Sequence, residues 1–256
     1  MPELTGKSAL ITGADSTARI IAETLARSGV EVFACDIREE AVSALLESNP
    51  AMRATVADIG VEADAIRVAE EAVARFGKID ILVNVVGIAG PTKPIEEITS
   101  TEWLDTMNTN INGVFYTARA MVPGMKARHS GVILNFSTAS TRTRLPNRLP
   151  YITSKYAVEG LTLNLARELG PFGIRVNGIL PGPINNDRLQ LVLSQIANRN
   201  GSTIEKVAQD ALQYVSMRCL IEPQELADTV TFLCSDKAKH ITGQLIGVDG
   251  NQEWEG

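Results

Sequence analysis

The chain has 256 residues, of which 45% are hydrophobic and 21% are charged. This length suits one large α/β domain spanning residues 1–256, and the composition excludes a disordered or collagen-like protein. The formal net charge of −6 opposes the attraction that draws basic proteins to phosphate backbones and anionic lipids. We therefore expect neither nucleic acid nor a membrane as a partner.

The cysteines and histidines argue against metal chemistry. Cys35, Cys219 and Cys234 are far apart and form no C-x-x-C pair, so the sequence indicates neither a disulfide framework nor a thiolate zinc site. His129 and His240 are too few for histidine-rich metal ligation. No run approaches about 18 consecutive apolar residues, and no signal peptide is visible. We expect a cytoplasmic protein that binds no metal.

Seven short, nearly continuously apolar runs alternate with longer segments of helical period. Such runs are typical of strands buried on both faces of a parallel sheet, with the helices as right-handed crossovers. The runs lie at residues 8–12, 30–35, 52–57, 79–84, 132–136, 174–180 and 245–248. This alternation predicts an α/β fold, a Rossmann-type doubly wound parallel sheet in three layers, whose ligands bind beyond the carboxyl ends of the strands.

One stretch, residues 183–222, departs from this alternation. It has a mixed helical pattern and a proline-rich entry, and it contains several asparagines and a glycine. We predict a substrate lid with hinge behaviour here. Two surface helices without such a role are the alternative.

The loop after the first strand is a candidate phosphate-binding site. Residues 12–20 read Thr-Gly-Ala-Asp-Ser-Thr-Ala-Arg-Ile and open a helix, whose free N–H groups and dipole suit a pyrophosphate. The spacing is similar to the T-G-x-x-x-G-x-G loop of the short-chain dehydrogenase/reductase family, but Thr17 and Arg19 replace its second and third glycines. Gly13 still permits the tight turn, and Arg19 adds a cation beside the phosphates. The alternative interpretation of this loop is an ordinary helix N-terminus that binds no ligand. The predicted cofactor contacts are Gly13, Asp15, Thr17, Ala18, Arg19 and Ile20.

The ends of the next three strands carry further candidate contacts to a dinucleotide. Asp36 lies about twenty residues after the loop, where a carboxylate accepts hydrogen bonds from the adenosine ribose and favours NAD. The Asp36 carboxylate would repel the 2′-phosphate of NADP, and Arg38 partly offsets this repulsion. The alternative role of Asp36 is that of a helix N-cap. The segment 84–87 reads Asn-Val-Val-Gly where the similar family has N-N-A-G. The predicted contacts are Asp36, Ile37, Asp58, Ile59, Asn84, Val85 and Gly87.

The most specific motif is Tyr151-Ile152-Thr153-Ser154-Lys155, because residues i and i+4 share one face of a helix. A nearby ammonium and an oxidised nicotinamide both favour the phenolate form of a tyrosine, which then acts as a base. The motif lies between the fifth and sixth predicted strands, and Ile-Thr-Gly-Gln at 241–244 and Val-Asp-Gly at 248–250 extend the pattern. Over nearly its whole length the chain resembles the classical short-chain dehydrogenase/reductase family.

The resemblance implies further site residues. Asn110 matches an asparagine that holds a water connecting the lysine to solvent. Thr138, thirteen residues before Tyr151, matches the serine that binds the reacting oxygen. Threonine keeps the hydroxyl, and Ser137 or Ser140 is the alternative donor. The turn that receives the nicotinamide carboxamide is expected at Pro181, Gly182 and Ile184. Asn186 stands where the family usually has a threonine after this turn.

Several arginines lie where the substrate is expected. Guanidinium groups suit a carboxylate, sulfonate or phosphate, and Arg148 resembles an anion-binding lysine of hydroxybutyrate dehydrogenases. Solvated arginines, or ion pairs across a subunit contact, are the alternative. The predicted substrate contacts are Ser140, Arg144, Arg148 and Arg188, with Arg142 close by.

The resemblance implies an NAD-dependent oxidoreductase that interconverts a secondary alcohol and a ketone, with Tyr151, Lys155, Asn110 and Thr138 as its catalytic residues. The substrate is expected to be a small anionic hydroxy compound. A catalytically inactive binding or regulatory protein on the same fold is one alternative, indicated by the replaced glycines; an NADP-dependent reductase is the other. The family usually forms homotetramers, so we expect a tetramer or a dimer.

Overall fold

In the computed structural model, the described part of the chain comprises residues 4–144 and 146–253, apart from the side chains of residues 188, 195 and 199. Its strands are β1 (Ser8–Thr12), β2 (Glu31–Asp36), β3 (Arg53–Val56), β4 (Ile81–Asn84), β5 (Gly131–Phe136), β6 (Ile174–Pro181) and β7 (Leu245–Val248). They form one parallel sheet in the order β3-β2-β1-β4-β5-β6-β7. The predicted doubly wound sheet is confirmed, and each predicted strand boundary lies within two residues of the observed one.

The helices are α1 (Ser16–Arg27), α2 (Glu39–Ser48), α3 (Glu62–Phe76), α4 (Ser100–Met107), α5 (Gly113–Arg128), α6 (Ser140–Thr143), α7 (Leu149–Leu169), α8 (Asp187–Asn200), α9 (Ile204–Leu212) and α10 (Pro223–Cys234). Side chains of β1 alternate between the two faces of the sheet, so that Ile11 and Leu10 lie in different apolar clusters. The Ile11 cluster contains residues of α1, α2 and α10, and the Leu10 cluster contains residues of α3, α5 and α7. This arrangement makes the three predicted layers.

The strand order reverses between β1 and β4, since β2 and β3 lie on one side of this pair and β5 to β7 on the other. The loops that follow β1 and β4 therefore diverge and open a crevice at the carboxyl ends of the strands. The candidate residues at 12–20, 36–38, 84–88 and 137–144 all follow strand ends at this edge.

The segment predicted as a lid contains α8 and α9. Asn186 caps α8, because its Oδ1 accepts a hydrogen bond of 3.0 Å from the Leu189 N–H. Leu193 and Ala197 of α8 pack on Val207 of α9 in a small apolar cluster of their own. The segment is thus a helical hairpin beside the main core, and its motion stays a prediction. No helix within the described ranges is long and apolar enough to cross a membrane.

Candidate active site

Helix α7 places Tyr151 and Lys155 beside the end of β5. Pro150 occupies the first turn of α7, where a missing N–H costs nothing. Lys155 is 4% exposed, and its Nζ donates a hydrogen bond of 2.8 Å to the carbonyl of Phe136, the last residue of β5. Nζ lies 6.0 Å from the centroid of the Tyr151 ring. A buried ammonium needs such a partner, so the strand end holds the lysine beneath the tyrosine.

Asn110 connects the loop after β4 to α7. It lies in a single π-helical turn, Asn108–Asn112, between α4 and α5, and it is fully buried. Its Oδ1 accepts from the Ile88 N–H at 2.7 Å, and its Nδ2 donates to the Ile88 carbonyl and to Ser154 Oγ, each at 2.9 Å. Ser154 Oγ in turn donates to the Tyr151 carbonyl at 2.7 Å. The asparagine therefore fixes the first turn of α7, while its role towards a water stays a prediction.

The hydroxyl groups of Thr138 and Ser137, two candidate donors after β5, have different hydrogen-bond partners. Thr138 is 7% exposed, and its Oγ1 accepts from the Ser140 N–H at 3.2 Å. Ser137 Oγ donates to Glu159 Oε1 at 2.8 Å, on the side of α7. Since Ser137 is committed to that carboxylate, it does not serve as the alternative donor, whereas the Thr138 hydroxyl proton has no acceptor among the described residues.

Gly13 and Thr12 shape the crevice between β1 and β4. Gly13 has a φ of +100°, and a Cβ there would lie 2.9 Å from the Cβ of Ala18. Both the left-handed backbone and the close approach of α1 therefore require glycine. Thr12 Oγ1 accepts from the N–H groups of Val85 and Val86, at 3.0 and 3.2 Å. The two loops at the switch point are thus tied together by one hydroxyl.

The replaced glycines at the start of α1 leave polar atoms without partners. Thr17 is 6% exposed, so its side chain packs inward and does not project into the crevice. Thr17 Oγ1 and Arg19 Nε are buried and have no hydrogen-bond partner within the described part of the chain. Arg19 Nε lies 3.9 Å from Glu23 Oε1. The N–H groups of Ser16, Ala18 and Arg19, by contrast, are all bonded to Asp15, so the first turn of α1 is closed by that residue.

Asp36 and Asp15 share the guanidinium of Arg38. Asp36 is 7% exposed; its Oδ2 accepts from the Ala14 N–H at 3.0 Å, and its Oδ1 lies 3.3 Å from Arg38 Nε. Arg38 Nη2 lies 2.8 Å from Asp15 Oδ2. Partial burial acts to raise the pKa of Asp15, but the hydrogen bonds from Arg38 and the Ser16 N–H outweigh it and hold that pKa below its usual value. Asp36 therefore lies at the end of β2 with a cation beside it, and its contact with a ribose stays a prediction.

The Asn84 side chain faces the interior, although the sequence suggested a nucleotide contact. Its Nδ2 donates to Asn135 Oδ1 at 2.9 Å, and its Oδ1 accepts from Thr117 Oγ1 at 2.8 Å. Asn135 Nδ2 continues the chain of bonds to Thr162 at 3.0 Å. This buried network joins β4 and β5 to α5 and α7, so only the backbone of Asn84 remains for a cofactor.

The other strand-end residues differ in exposure. Ile37 is 63% exposed directly after β2. Asp58 Oδ1 accepts from the Gly60 N–H at 2.8 Å, which closes the turn after β3. Ile59 is 3% exposed, and its side chain packs so closely on Gly113 that a Cβ there would lie 2.8 Å from Cδ1. Of these three residues, only Ile59 has its side chain in the core, and the contacts of Ile37 and Asp58 with a cofactor stay predictions.

The turn after β6 is held on two sides. Gly182 N–H donates to the Val248 carbonyl at 3.0 Å, and a Cβ at Gly182 would lie 2.8 Å from the Cα of Asp249. The Pro181 carbonyl accepts from the Ala139 N–H at 2.9 Å. The Ile184 backbone forms a parallel bridge with Ile221. The predicted turn therefore lies beside the segment that carries Thr138.

Among the arginines, Arg148 lies against the tyrosine. Its guanidinium carbon is 4.8 Å from the centroid of the Tyr151 ring, and its Nη1 donates to Thr92 Oγ1 at 3.2 Å. Arg144 is exposed, and its Nε donates to the Tyr156 hydroxyl at 3.3 Å. Arg142 instead lies 3.6 Å from Glu159 Oε2. The Arg188 side chain lies outside the described part of the chain.

Sequence reasoning missed Glu159. This residue is 5% exposed on α7 and accepts from Ser137 while it pairs with Arg142. A signal was present, because Glu159 follows Lys155 by four residues and therefore shares the face of the catalytic pair.

Known proteins resemble this chain over nearly its whole length. A family model described as Enoyl-(Acyl carrier protein) reductase matches residues 12–250. The chain is 32% identical over 252 residues to the 7alpha-hydroxysteroid dehydrogenase of Escherichia coli strain K12, covering 96% of this chain and 94% of that protein. The crystal structure of NAD+-bound xylitol dehydrogenase covers 97% of this chain and 99% of its own, with a TM-score of 0.91 and 29% identity.

A crystal structure of actinorhodin polyketide ketoreductase with NADPH is as similar, with a TM-score of 0.91 and 28% identity over 96% of this chain and 97% of its own. Solved relatives thus carry either dinucleotide. The family model and these relatives match the chain over nearly its whole length, and the solved relatives share its fold. The chain belongs to the classical short-chain dehydrogenase/reductase family of oxidoreductases.

Proposed function

We propose that the protein is an NAD-dependent enzyme that interconverts a secondary alcohol and a ketone. The observation that carries this proposal is the fixed pair on α7, where the Lys155 ammonium lies 6.0 Å from the Tyr151 ring centroid and is held by the Phe136 carbonyl. A phenol hydroxyl beside a buried ammonium is suited to exchange a proton with an alcohol oxygen.

Each residue then has a distinct role. In oxidation Tyr151 takes the proton of the substrate hydroxyl, and in reduction it returns a proton to the carbonyl oxygen. Lys155 stabilises the phenolate electrostatically. Thr138 donates its hydroxyl proton to the reacting oxygen and so orients it, since its Oγ1 already accepts from the Ser140 N–H. When bound, the nicotinamide accepts or supplies the hydride at the carbinol carbon.

The residues at the ends of β1 and β2 suit a dinucleotide. Gly13, with its left-handed backbone at the start of α1, lets the main chain approach a pyrophosphate. Asp36 is positioned to accept from ribose hydroxyls. Its carboxylate and that of Asp15 share the single guanidinium of Arg38, which leaves a net charge of −1 for the three groups. A 2′-phosphate would meet this negative charge, so we infer a preference for NAD over NADP.

We further infer a small anionic substrate. The Arg148 guanidinium lies 4.8 Å from the Tyr151 ring centroid, so a cation adjoins the place where the alcohol would bind. A guanidinium binds a carboxylate through two parallel hydrogen bonds and would orient a hydroxy acid with its hydroxyl towards Tyr151.

Self-association as a homotetramer or dimer is also proposed. Exposed apolar or aromatic side chains line α4, α5 and α7, among them Leu104, Phe115, Tyr156 and Leu163. Apolar surface of this kind is typical of a subunit contact. Light scattering of the purified protein measures the assembly directly.

Two measurements test the enzymatic proposal. The thermal midpoint should rise with saturating NAD+ and by much less with NADP+, because a ligand that binds only the folded state stabilises it. The formation of NADH should then be faster with 3-hydroxybutyrate than with the neutral 2-butanol. No shift with either dinucleotide would favour the inactive binding protein, and a larger shift with NADP+ would favour the NADP-dependent reductase.

A further inference from the structure

Helix α7 carries a buried carboxylate, Glu159, one turn beyond Lys155. Tyr151, Lys155 and Glu159 recur every four residues and so lie along one face of the helix. Glu159 is 5% exposed. A buried carboxylate is costly unless it is hydrogen-bonded and paired, so its partners reveal what it holds.

Both partners of Glu159 come from the segment between β5 and α7. Ser137 Oγ, just after β5, donates to Glu159 Oε1 at 2.8 Å, and it also lies 3.3 Å from the Lys155 carbonyl. Arg142 Nη1 of α6 lies 3.6 Å from Glu159 Oε2. One carboxylate therefore contacts the chain at two points that are five residues apart.

Thr138 lies between these two points. Its own local contact is the hydrogen bond of 3.2 Å from the Ser140 N–H, and Thr141 Oγ1 donates to its carbonyl at 2.9 Å. The backbone of the segment is bonded to β6 through the N–H groups of Ser137 and Ala139. Those bonds fix the segment to the sheet. Two side chains of α7 tie it to the helix bearing Tyr151: Tyr156 donates to the Thr141 carbonyl and accepts from Arg144, and Glu159 holds Ser137 and Arg142 on either side of Thr138.

We propose that Glu159 is a positioning residue, which sets the distance between the Thr138 hydroxyl and Tyr151 by clamping Ser137 and Arg142 to α7. The inference rests on the proposed function, since it assigns Thr138 to the reacting oxygen. A loosened clamp would misplace one of the two groups that act on that oxygen, and such misplacement lowers the rate of the chemical step more than it weakens substrate binding.

The test uses Glu159→Gln and Arg142→Gln in the full-length protein. Glu159→Gln keeps an acceptor for Ser137 but loses the charge that holds Arg142, and Arg142→Gln removes the same ion pair from its exposed end. Glu168→Gln is the matched control, because Glu168 is a half-exposed glutamate on the same helix, paired with Lys126 at 3.6 Å. Activity is measured as NADH formation from NAD+ with 3-hydroxybutyrate or 2-butanol, whichever the wild-type protein oxidises faster.

We expect both variants to lower kcat by about tenfold while KM changes by less than about twofold. The double variant should lose no more than the larger single effect, since both changes remove one interaction. Arg142→Lys should restore part of kcat. Amide hydrogen exchange of residues 137–144 should rise in Glu159→Gln and not in Glu168→Gln.

Wild-type kcat in both variants would overturn the proposal, and so would an equal loss in Glu168→Gln. If Glu159→Gln does not fold, Arg142→Gln decides alone, because the Arg142 side chain is 45% exposed and its replacement leaves the core unchanged. Turnover by the wild-type protein with unaffected variants would contradict the positioning role and leave the proposed function standing. Absence of wild-type turnover would contradict the proposed function, and unchanged exchange of residues 137–144 would then overturn the clamp as well.

Discussion

Gly87 lies so close to Lys155 that a Cβ on the glycine would come within 3.0 Å of Nζ. The same Cβ would lie 3.3 Å from Asn110 Oδ1, so the loop after β4 passes directly over Lys155. Gly87 has no positive φ, and the requirement for glycine is therefore one of space. Val85 and Val86 precede Gly87 and pack on apolar clusters on opposite faces of the sheet. This packing explains how the loop accommodates two bulky side chains directly before the glycine.

Replacement of Gly87 by alanine should therefore impair turnover more than folding. The added methyl displaces the Lys155 ammonium by a few tenths of an ångström, and we expect kcat to fall by about tenfold. Gly160→Ala is the control, because a Cβ at this α7 position meets nothing within 4 Å. Gly160→Ala should raise the free energy of unfolding by about 0.5–1 kcal/mol and leave kcat unchanged. Steady-state kinetics measure kcat, and thermal unfolding measures stability. A wild-type kcat in Gly87→Ala would contradict the close approach of Gly87 to Lys155.

Asp36 should determine the choice of dinucleotide. Asp36→Asn removes one of the two carboxylates that share Arg38, so the three groups become neutral and the repulsion of a 2′-phosphate is lost. We expect the preference for NAD+ over NADP+ to fall by about tenfold in calorimetric titrations. Asp228→Asn, on the exposed face of α10, should change neither affinity. An unchanged preference in Asp36→Asn would show that the ribose carboxylate lies elsewhere.

The cysteines offer a test of the fold that needs no ligand. Burial raises the pKa of the Cys35 and Cys234 thiols to about 12. At about pH 8 both are therefore neutral thiols, which do not react with iodoacetamide, and both are shielded from it. Cys219 is half-buried. Mass spectrometry of the native protein should find modification at Cys219 alone, and all three should react in urea. Rapid native modification of Cys35 would contradict the placement of β2.

The repeating pattern of the chain made the sheet, and the common helix of Tyr151 and Lys155, predictable. Apolar runs report strands buried on both faces, and a spacing of four residues places Tyr151 and Lys155 on one helical face. Contacts between distant segments left no such signal. The inward turn of Asn84 depends on Asn135 and Thr117, which the chain brings together only when β4, β5 and α5 have packed.

The altered glycine loop illustrates the same limit. The sequence shows that a β-branched residue, Thr17, occupies a glycine position of the family's loop, but it does not show where that side chain lies. In the structure this side chain is 6% exposed and packs inward, which no local pattern reveals. The double role of Arg38 towards Asp36 and Asp15 was likewise beyond the sequence, since it depends on the loops after β1 and β2 lying side by side.

The account depends above all on Tyr151 as the group that moves the substrate proton. Tyr151→Phe removes only the hydroxyl, and Tyr116→Phe on α5 is the matched change away from the crevice. We predict that Tyr151→Phe loses NADH formation by at least about a thousandfold while NAD+ still raises its thermal midpoint, and that Tyr116→Phe behaves as wild type. Turnover retained in Tyr151→Phe would contradict the central claim.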